Sequence, residues 1–251
     1  MTGLAAAAET LRALHRPGTP LILPNAWDAT SAMVVAEHGF PVVATSSAAL
    51  ARSLGYDDGE QAPASEIFAA LGRITSRVGV PVTADLESGY GLPPADLVAE
   101  MLKAGVVGLN VEDTDHAHAR ALRDPDEQAE RIAAIKAAGR SSGVDIVVNA
   151  RVDCFLPGRP GDTGLADGLG RARRYAAAGA DCVYPILLDD ESGIERFVAE
   201  SGAPVNVMLH PGGPGLDRLR ALRVARVSLG AGLARIAFDA VAAHLESLRA
   251  E

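Results

Sequence analysis

Charged and amide side chains end three apolar segments in the middle of the chain, and side chains of these types can bind a metal ion and an anion. The segments are Thr83-Ala84-Asp85-Leu86-Glu87, Asn110-Val111-Glu112-Asp113 and Asn149-Ala150-Arg151-Val152-Asp153. Residues two apart in a strand point to the same side, so the polar side chains of each segment share a face. On neighbouring strands of one sheet, three carboxylates and one guanidinium would therefore converge at one edge.

The three carboxylates belong to Asp85, Glu87 and Glu112, and their oxygens favour a hard divalent cation. Mg²⁺ keeps several water ligands while it binds one or two carboxylates directly, and Mn²⁺ accepts the same donors. Arg151 is suited to a bidentate contact with a substrate carboxylate. A 2-oxo acid held in this way can form an enolate that the cation stabilises. The residues thus predict Mg²⁺, with Mn²⁺ as the alternative, beside a carboxylate-binding arginine.

The elements that must position these residues alternate along the chain. Eight apolar segments have strand character: Leu21–Leu23, Pro41–Thr45, Pro81–Asp85, Val106–Val111, Asp145–Ala150, Asp181–Ile186, Pro204–Leu209 and Ala225–Leu229. Segments of helical length lie between most of them, including Ala64–Val78, Pro94–Ala104, Pro125–Ala138 and Leu165–Ala178. This alternation predicts a parallel sheet, and eight units favour a closed (β/α)8 barrel. The turn Pro24–Asp28 contains no glycine, which argues against an open nucleotide-binding sheet.

Composition narrows the class of protein further. The chain has 251 residues, of which 48% are hydrophobic, and we expect one barrel domain over residues 1–251. The formal net charge is −9 and no run of lysine or arginine occurs, which argues against nucleic acid and an anionic membrane as partners. Cys154 and Cys182 are expected to be buried free thiols. No apolar run is long enough to cross a bilayer, so we expect a cytoplasmic protein.

Catalytic groups of such barrels lie at the carboxyl ends of the strands, where this chain has further polar residues. Ser46 and Ser47 follow the second predicted strand, Asp58 lies in a loop flanked by glycine, and Asn206 belongs to the seventh strand. His116 and His118 form a His-x-His in the loop after the fourth strand. That loop is polar, so we expect both histidines to be exposed rather than bound to zinc.

At these residues the chain resembles the isocitrate lyase/phosphoenolpyruvate mutase superfamily, from about Leu21 to Val241. The most specific matches are Thr45-Ser46-Ser47, Ser53-Leu54-Gly55 through Asp58, Ala84-Asp85-Leu86-Glu87-Ser88-Gly89-Tyr90-Gly91, Val111-Glu112-Asp113 and Asn149-Ala150-Arg151. The resemblance implies a (β/α)8 barrel whose eighth helix is exchanged between subunits of a homo-oligomer, a dimer or a tetramer. It also implies Mg²⁺-dependent cleavage or formation of C–C bonds, or of P–C bonds, in small 2-oxo or 2-hydroxy acids.

The resemblance implies a role for each matching residue. Asp85 would bind Mg²⁺ directly, and Glu87 and Glu112 would hold its water ligands. The substrate carboxylate would be bound by Arg151 and by backbone and hydroxyl groups of Ser46, Ser47 and Ala48. Asp58 would lie near the metal and the substrate, and Asn206 would contact the substrate.

The chain also departs from the superfamily pattern. Glu87 replaces the more usual aspartate, and residues 114–126 contain neither the cysteine nor the lysine of the usual gating loops. The prediction is a Mg²⁺-dependent lyase of a small 2-oxo or 2-hydroxy acid, acting by C–C cleavage or decarboxylation. Proton transfer is assigned to Asp58 or to a residue of that loop: His116, His118 or Arg120. The alternatives are a phosphonopyruvate-type mutase or hydrolase and a barrel that binds a 2-oxo acid without turnover.

Overall fold

The computed structural model describes residues 2–157 and 164–249. The strands are β1 (Leu21–Leu23), β2 (Asn25–Ala26), β3 (Val43–Thr45), β4 (Val82–Asp85), β5 (Gly108–Glu112), β6 (Thr114–Asp115), β7 (Ala121–Leu122), β8 (Val147–Val152), β9 (Cys182–Pro185), β10 (Asn206–Met208) and β11 (Arg226–Ser228). The helices are α1 (Thr2–Ala13), α2 (Ala29–Glu37), α3 (Ser47–Ser53), α4 (Ala64–Thr75), α5 (Pro94–Lys103), α6 (Pro125–Ser141), α7 (Gly164–Ala177), α8 (Glu191–Glu200), α9 (Leu216–Ala221) and α10 (Gly232–Arg249). Each predicted strand segment contains an observed strand or overlaps one.

Parallel pairing arranges the strands as a closed barrel, which confirms the predicted (β/α)8 fold. Six strands pair in the order β2-β3-β4-β5-β8-β9, and three more pair in the order β1-β11-β10. The two sheets join on one side because β1 and β2 are consecutive, separated only by Pro24. They join on the other side through a parallel bridge between Val183 and Val205. β6 and β7 form a separate antiparallel hairpin in the loop after β5.

The helices cover the barrel with apolar faces. In α5, Leu97, Val98 and Met101 recur at helical spacing and are fully buried. This helix begins at Pro94, where a missing N–H leaves no intrahelical bond unmade. It is followed by Gly105 with a φ of 79°, a left-handed conformation that glycine adopts without steric cost. The sequence thus sets both ends of the helix and the face that it buries.

Helix α1 closes the amino-terminal end of the barrel. Leu11 is fully buried, and its Cδ2 lies 2.6 Å from where a Cβ on Gly108 would stand, so a side chain at position 108 would displace it. Arg12 pairs with Asp181 at 2.8 Å and with Asp145 at 3.1 Å, and both aspartates precede strands. The carboxyl ends of the strands consequently form the open end of the barrel.

Polar side chains, rather than apolar ones alone, fill the middle of the barrel. Arg226 on β11 is 1% exposed and donates from Nη2 to Oδ1 of Asn110 at 3.0 Å. β5 and β11 are four strands apart around the barrel, so this bond crosses its interior. Asn149 donates to the same oxygen at 2.8 Å. We refer to Asn110, Asn149, Asn206 and Arg226, all buried, as the polar column.

The last helix leaves much of its apolar surface uncovered. In α10 only Ala234 is buried, whereas Phe238, Val241, Leu245 and Leu248 are about half exposed. These four residues recur at three- and four-residue spacing and form one stripe, called here the α10 stripe. The ring of Phe238 packs against Trp27 with 6.1 Å between centroids, which holds the start of the stripe near the barrel.

Two expectations about the chain as a whole can be compared with the structure. Cys154 and Cys182 are both buried and neither belongs to a disulfide, as predicted. Among the helices described, none has the length and apolar character needed to cross a membrane.

Candidate active site

A cavity of about 230 Å³ opens at the carboxyl ends of the strands. Its lining comprises Asn25, Ser46, Ser47, Ala48, Asp58, Asp85, Asn110, Arg120, Arg151, Leu156, Tyr184, Ile186, Met208, Ser228, Gly230 and Ala231. Seven of the residues singled out in the sequence therefore lie around one space: Ser46, Ser47, Ala48, Asp58, Asp85, Arg120 and Arg151. They come from different strands and loops, which only the closed barrel brings together.

Asp85 ends β4 and presents its carboxylate to the cavity in a fixed orientation. Its Oδ2 accepts hydrogen bonds from the hydroxyl of Ser47 at 2.8 Å and from the Ser47 backbone N–H at 3.3 Å. Its Oδ1 accepts from Nδ2 of Asn110 at 3.3 Å. Asn110 is oriented by the polar column, because its own oxygen is taken by Asn149 and Arg226. Ser47 at the start of α3 and Asn110 on β5 thus hold one oxygen each of this carboxylate.

Glu87 and Glu112 lie behind the cavity wall rather than on it. Glu87 follows β4 with a φ of 49° and accepts hydrogen bonds from the Tyr90 hydroxyl and the Glu60 backbone N–H, each at 2.8 Å. Glu112 forms an ion pair with Nη1 of Arg151 at 2.8 Å and contacts Nε2 of His116 at 2.7 Å. Strand alternation predicted that Glu87 would face the same way as Asp85. β4 ends at Asp85, so the alternation does not extend to Glu87.

The acidic groups repel one another, and this repulsion is the property that a cation would relieve. Burial raises the pKa of Glu87 to about 7, and the charges of Asp58, Asp85 and Glu112 add to that rise. Burial also raises the pKa of Glu112 well above its usual value, against the opposing effect of Arg151. Over the described residues, no group of three or more His, Cys, Asp or Glu side chains is arranged to bind a metal together. This donor set fits Mg²⁺ bound to one carboxylate and otherwise to water.

Arg151 is fixed by two carboxylates and retains N–H groups with no partner among the described residues. Its Nε and Nη2 donate to the two oxygens of Asp153 at 2.6 and 3.1 Å, and its Nη1 forms an ion pair with Glu112. Asp153 is fully buried, and its backbone N–H donates to Asp113 at 2.9 Å. A guanidinium carries five N–H groups, so two remain beyond these three contacts. They are available to an anion in the cavity.

The three residues of the loop after β5 that were proposed for proton transfer lie in different surroundings. His116 is buried, with its side chain 6% exposed, between Glu112 at 2.7 Å and Glu87 at 3.7 Å. The expectation that both histidines are exposed is wrong for His116, because its ring inserts between two buried carboxylates. His118 is 82% exposed and pairs with Asp115. Neither histidine lines the cavity, whereas Arg120 at the tip of the β6–β7 hairpin does.

Two further residues differ from what the sequence indicated. Asn206 lies below the cavity, where its Nδ2 donates to the Ser228 hydroxyl at 3.4 Å; Ser228 itself lines the cavity. Tyr184 lines the cavity although it was not singled out. Its signal was its position near the carboxyl end of β9, directly opposite Arg151 in the pairing register of β8 and β9.

Comparison with known proteins assigns the chain to a group of related enzymes. The profile of the phosphoenolpyruvate phosphomutase family matches residues 11–249. The 2-methylisocitrate lyase of Bacillus subtilis (strain 168) is 29% identical over 193 residues, which are 74% of this chain and 61% of that enzyme.

Solved structures agree on the architecture. A protein from Burkholderia cenocepacia J2315, provisionally assigned as a phosphonomutase, superimposes with a TM-score of 0.90 at 42% identity, covering 96% of this chain and 99% of that one. A 2,3-dimethylmalate lyase, described as a PEP mutase/isocitrate lyase superfamily member, gives a TM-score of 0.86 at 25% identity, covering 98% and 86%. Two of these three similar proteins are thus lyases, and the third is provisionally assigned as a mutase.

Proposed function

Because the chain belongs to the phosphoenolpyruvate mutase/isocitrate lyase superfamily, we propose that it is a Mg²⁺-dependent lyase that cleaves a carbon–carbon bond in a small 2-oxo or 2-hydroxy acid. The observation that carries this proposal is the pairing of Asp85 and Arg151 around one cavity. A carboxylate for a cation and a guanidinium for an anion are the two groups needed to hold a 2-oxo acid by its 1- and 2-positions.

Asp85 would bind the cation directly, and Glu87 and Glu112 would hold its water ligands from behind the cavity wall. When bound, Mg²⁺ or Mn²⁺ supplies charge stabilisation for an enolate of the substrate. The protein contributes the orientation of Asp85, which Ser47 and Asn110 fix by hydrogen bonds. Such fixed partners around a ligand typically account for about 10- to 100-fold in metal affinity.

The substrate carboxylate would lie against the two remaining N–H groups of Arg151. Ser46, Ser47 and Ala48 line the same cavity, where their backbone and hydroxyl groups would face the anion, although both donors of Ser47 bond Asp85 in this structure. Asp58, also on the cavity lining, would accept the proton of a substrate hydroxyl. This arrangement separates binding by Arg151 from proton removal by Asp58, as general base catalysis requires.

The size and charge of the cavity favour a short acid with a second carboxylate. A volume of 230 Å³ corresponds to about eight water molecules at roughly 30 Å³ each. Arg120 reaches this cavity from the β6–β7 hairpin with a φ of 59°, a left-handed conformation that costs roughly 1 kcal/mol or more for a residue other than glycine. We therefore assign Arg120 to binding of a second carboxylate, rather than to proton transfer.

The test is a calorimetric and NMR screen of the purified protein with Mg²⁺ against 2-oxo, 2-hydroxy and phosphono acids. The expected result is cleavage of a short dicarboxylic acid, with loss of both turnover and Mg²⁺ binding in Asp85→Asn. Arg120→Met should raise the KM for dicarboxylic acids far more than for monocarboxylic ones. Mg²⁺-dependent binding without product would contradict the lyase and favour a binding barrel. Absence of any interaction would contradict the carboxylate-binding role of Arg151.

A second candidate is cleavage or rearrangement of a P–C bond, and one observation favours it. The Burkholderia cenocepacia protein at 42% identity is provisionally assigned as a phosphonomutase. Phosphonopyruvate therefore belongs in the screen. Release of phosphate or formation of phosphoenolpyruvate from it, with no cleavage of the carbon acids, would replace the first proposal by the second.

We further propose a homo-oligomer, a dimer or a tetramer, in which α10 packs on a neighbouring subunit. The α10 stripe is large and unpaired in the isolated chain, and stripes of this kind are typical of subunit contacts. The cytoplasmic location stays a prediction from composition.

A further inference from the structure

Tyr184 is a buried phenol on the wall of the candidate active site. It is 4% exposed, lies on β9 and stands opposite Arg151 on β8. The other titratable side chains that line the cavity are two carboxyl groups, Asp58 and Asp85, and two guanidinium groups, Arg120 and Arg151. Guanidinium groups do not give up a proton in proteins. Among the described residues that line the cavity, Tyr184 is thus the one group that is a weaker acid than a carboxyl group and can still donate a proton.

The Ser228 hydroxyl lies between the polar column and the phenol of Tyr184. It accepts from Nδ2 of Asn206 at 3.4 Å, so its own hydrogen is free to be donated. Ser228 also interacts with the Tyr184 side chain and lowers the pKa of the phenol, the effect expected of a hydroxyl that donates to the phenol oxygen. With Ser228 as donor, the oxygen of Tyr184 would accept a hydrogen bond from one side. Its own O–H can then point to whatever occupies the cavity.

Two guanidinium groups lie near this phenol. Burial raises the pKa of Tyr184 to about 12 and the charge of Asp85 adds to the rise, while the Ser228 side chain and the charges of Arg151 and Arg226 lower the pKa. The phenol therefore keeps its proton at neutral pH. Arg226 is fully buried, and its Nε and Nη1 form no hydrogen bond within the described residues, so its charge is not cancelled locally. A phenolate formed for a moment at Tyr184 would be stabilised by both arginines.

We propose that Tyr184 is the catalytic proton donor that completes C–C cleavage, a role that rests on the lyase proposed above. As the bond between C3 of the substrate and the departing carbon breaks, its electron pair stays on the fragment held by Arg151 as an enolate. The O–H bond of Tyr184 then breaks and a C3–H bond forms, which leaves a phenolate. The phenolate takes a proton from solvent water at the open end of the barrel, Asp58 releases to solvent the proton that it removed from the substrate hydroxyl, and the cycle closes.

The other groups considered as proton donors for this step are excluded by their positions or by the roles already assigned to them. His116 is held between Glu112 and Glu87 behind the wall, and His118 faces solvent. Asp85 is assigned to the cation and Asp58 to removal of the substrate proton. The assignment to Tyr184 therefore divides the two proton transfers between Asp58, which accepts, and Tyr184, which donates.

The test compares Tyr184→Phe with the wild-type protein, using the acid of the panel that turns over fastest. General acid catalysis typically contributes about 10²- to 10⁴-fold, so kcat should fall by that factor while KM stays unchanged. Calorimetric binding of Mg²⁺ with oxalate, a planar mimic of an enolate, should also be unchanged. Hexacyanoferrate(III), which oxidises free enolates, should be consumed during turnover by the variant and not by the wild type.

Tyr56→Phe is the matched control, because the Tyr56 hydroxyl bonds Glu66 outside the cavity. It should leave kcat and oxidant consumption unchanged. Ser228→Ala should lower kcat less than Tyr184→Phe does, because it removes only the donor that orients the phenol. Full kcat in Tyr184→Phe, with no oxidant consumed, would overturn the proton-donor role and leave the lyase standing. If the wild type cleaves no acid of the panel, the lyase and the role of Tyr184 are both overturned.

Discussion

At the scale of single residues, His15 is a titratable group buried at the end of the barrel opposite the cavity. Its Nδ1 lies 2.9 Å from the Leu11 carbonyl oxygen, and its Nε2 has no hydrogen-bond partner. Burial, with a further contribution from Arg226, lowers its pKa from 6.5 to about 4. Between these values the unfolded chain binds a proton that the folded protein does not. The free energy of unfolding should therefore fall as pH falls from 6.5 to 4, by about 3 kcal/mol from this residue.

Urea unfolding of the wild type and of His15→Asn at pH values from 7.5 to 4 measures this contribution. Asparagine keeps a donor near the position of Nδ1 and does not titrate in this range. The difference in unfolding free energy between the two proteins should change steadily below pH 6.5. A difference that stays constant with pH would show that the pKa of His15 is the same in the folded and the unfolded state, which contradicts the effect of burial.

Single residues also mark what the sequence could and could not predict about the candidate site. Asp85 and Arg151 were predicted from polar side chains at strand ends and Asp58 from the resemblance to the superfamily, and the three lie around one cavity. The pattern was insufficient for His116, because burial between two carboxylates depends on how the loop folds back. It was also insufficient for Tyr184: its position near a strand end was visible in the sequence, but its place opposite Arg151 depends on the pairing register of β8 and β9.

At the scale of elements, the β6–β7 hairpin depends on His116 for its attachment to the barrel. We expect His116→Ala to lower the free energy of unfolding by about 2 kcal/mol, as for loss of a buried hydrogen bond to a charged group. Hydrogen exchange of residues 114–122 should become faster, and the KM for dicarboxylic acids should rise because Arg120 lies on this hairpin. His118→Ala is the control, since that side chain is 82% exposed. Equal effects of the two substitutions would contradict the anchoring role.

The hairpin also shows why elements differ in how far they can be predicted. The barrel strands are apolar runs between glycines and helices, so periodicity alone located them. β6 and β7 have two residues each and lie in a polar segment without alternation. Their pairing depends on tertiary anchors such as the hydrogen bond from the Arg123 N–H to the Asp113 carbonyl oxygen at 2.8 Å. Such anchors are not visible in local sequence.

At the scale of the whole molecule, the α10 stripe predicts self-association. Light scattering coupled to size-exclusion chromatography should give the mass of a dimer or a tetramer for the wild type. Leu245→Glu places a charge in the stripe and should reduce the mass to that of one chain. Ser247→Glu adds the same charge on the opposite side of α10 and should leave the mass unchanged. A wild-type protein with the mass of a single chain would contradict the proposed assembly.

The barrel fold could be predicted from the number of strand-like segments, because eight such segments separated by helices leave few other topologies. The polar column inside the barrel could not be predicted in this way, although its four polar residues are visible in the sequence. Along each strand, side chains that point into the barrel alternate with side chains that point out towards the helices. Both kinds are shielded from solvent in a barrel covered by helices. Only the register of β5, β8, β10 and β11 decides that Asn110, Asn149, Asn206 and Arg226 point inward together.

The cavity wall divides into two parts with different tolerance to change. Leu156, Ile186 and Met208 line it with apolar side chains, and none of them supports the polar column or Asp85. A combinatorial library confined to these three positions would vary the length and width of the space while leaving the chemical groups in place. Laboratory evolution towards longer or branched acids therefore has a natural starting point here, and variants selected in this way should keep the thermal stability of the parent.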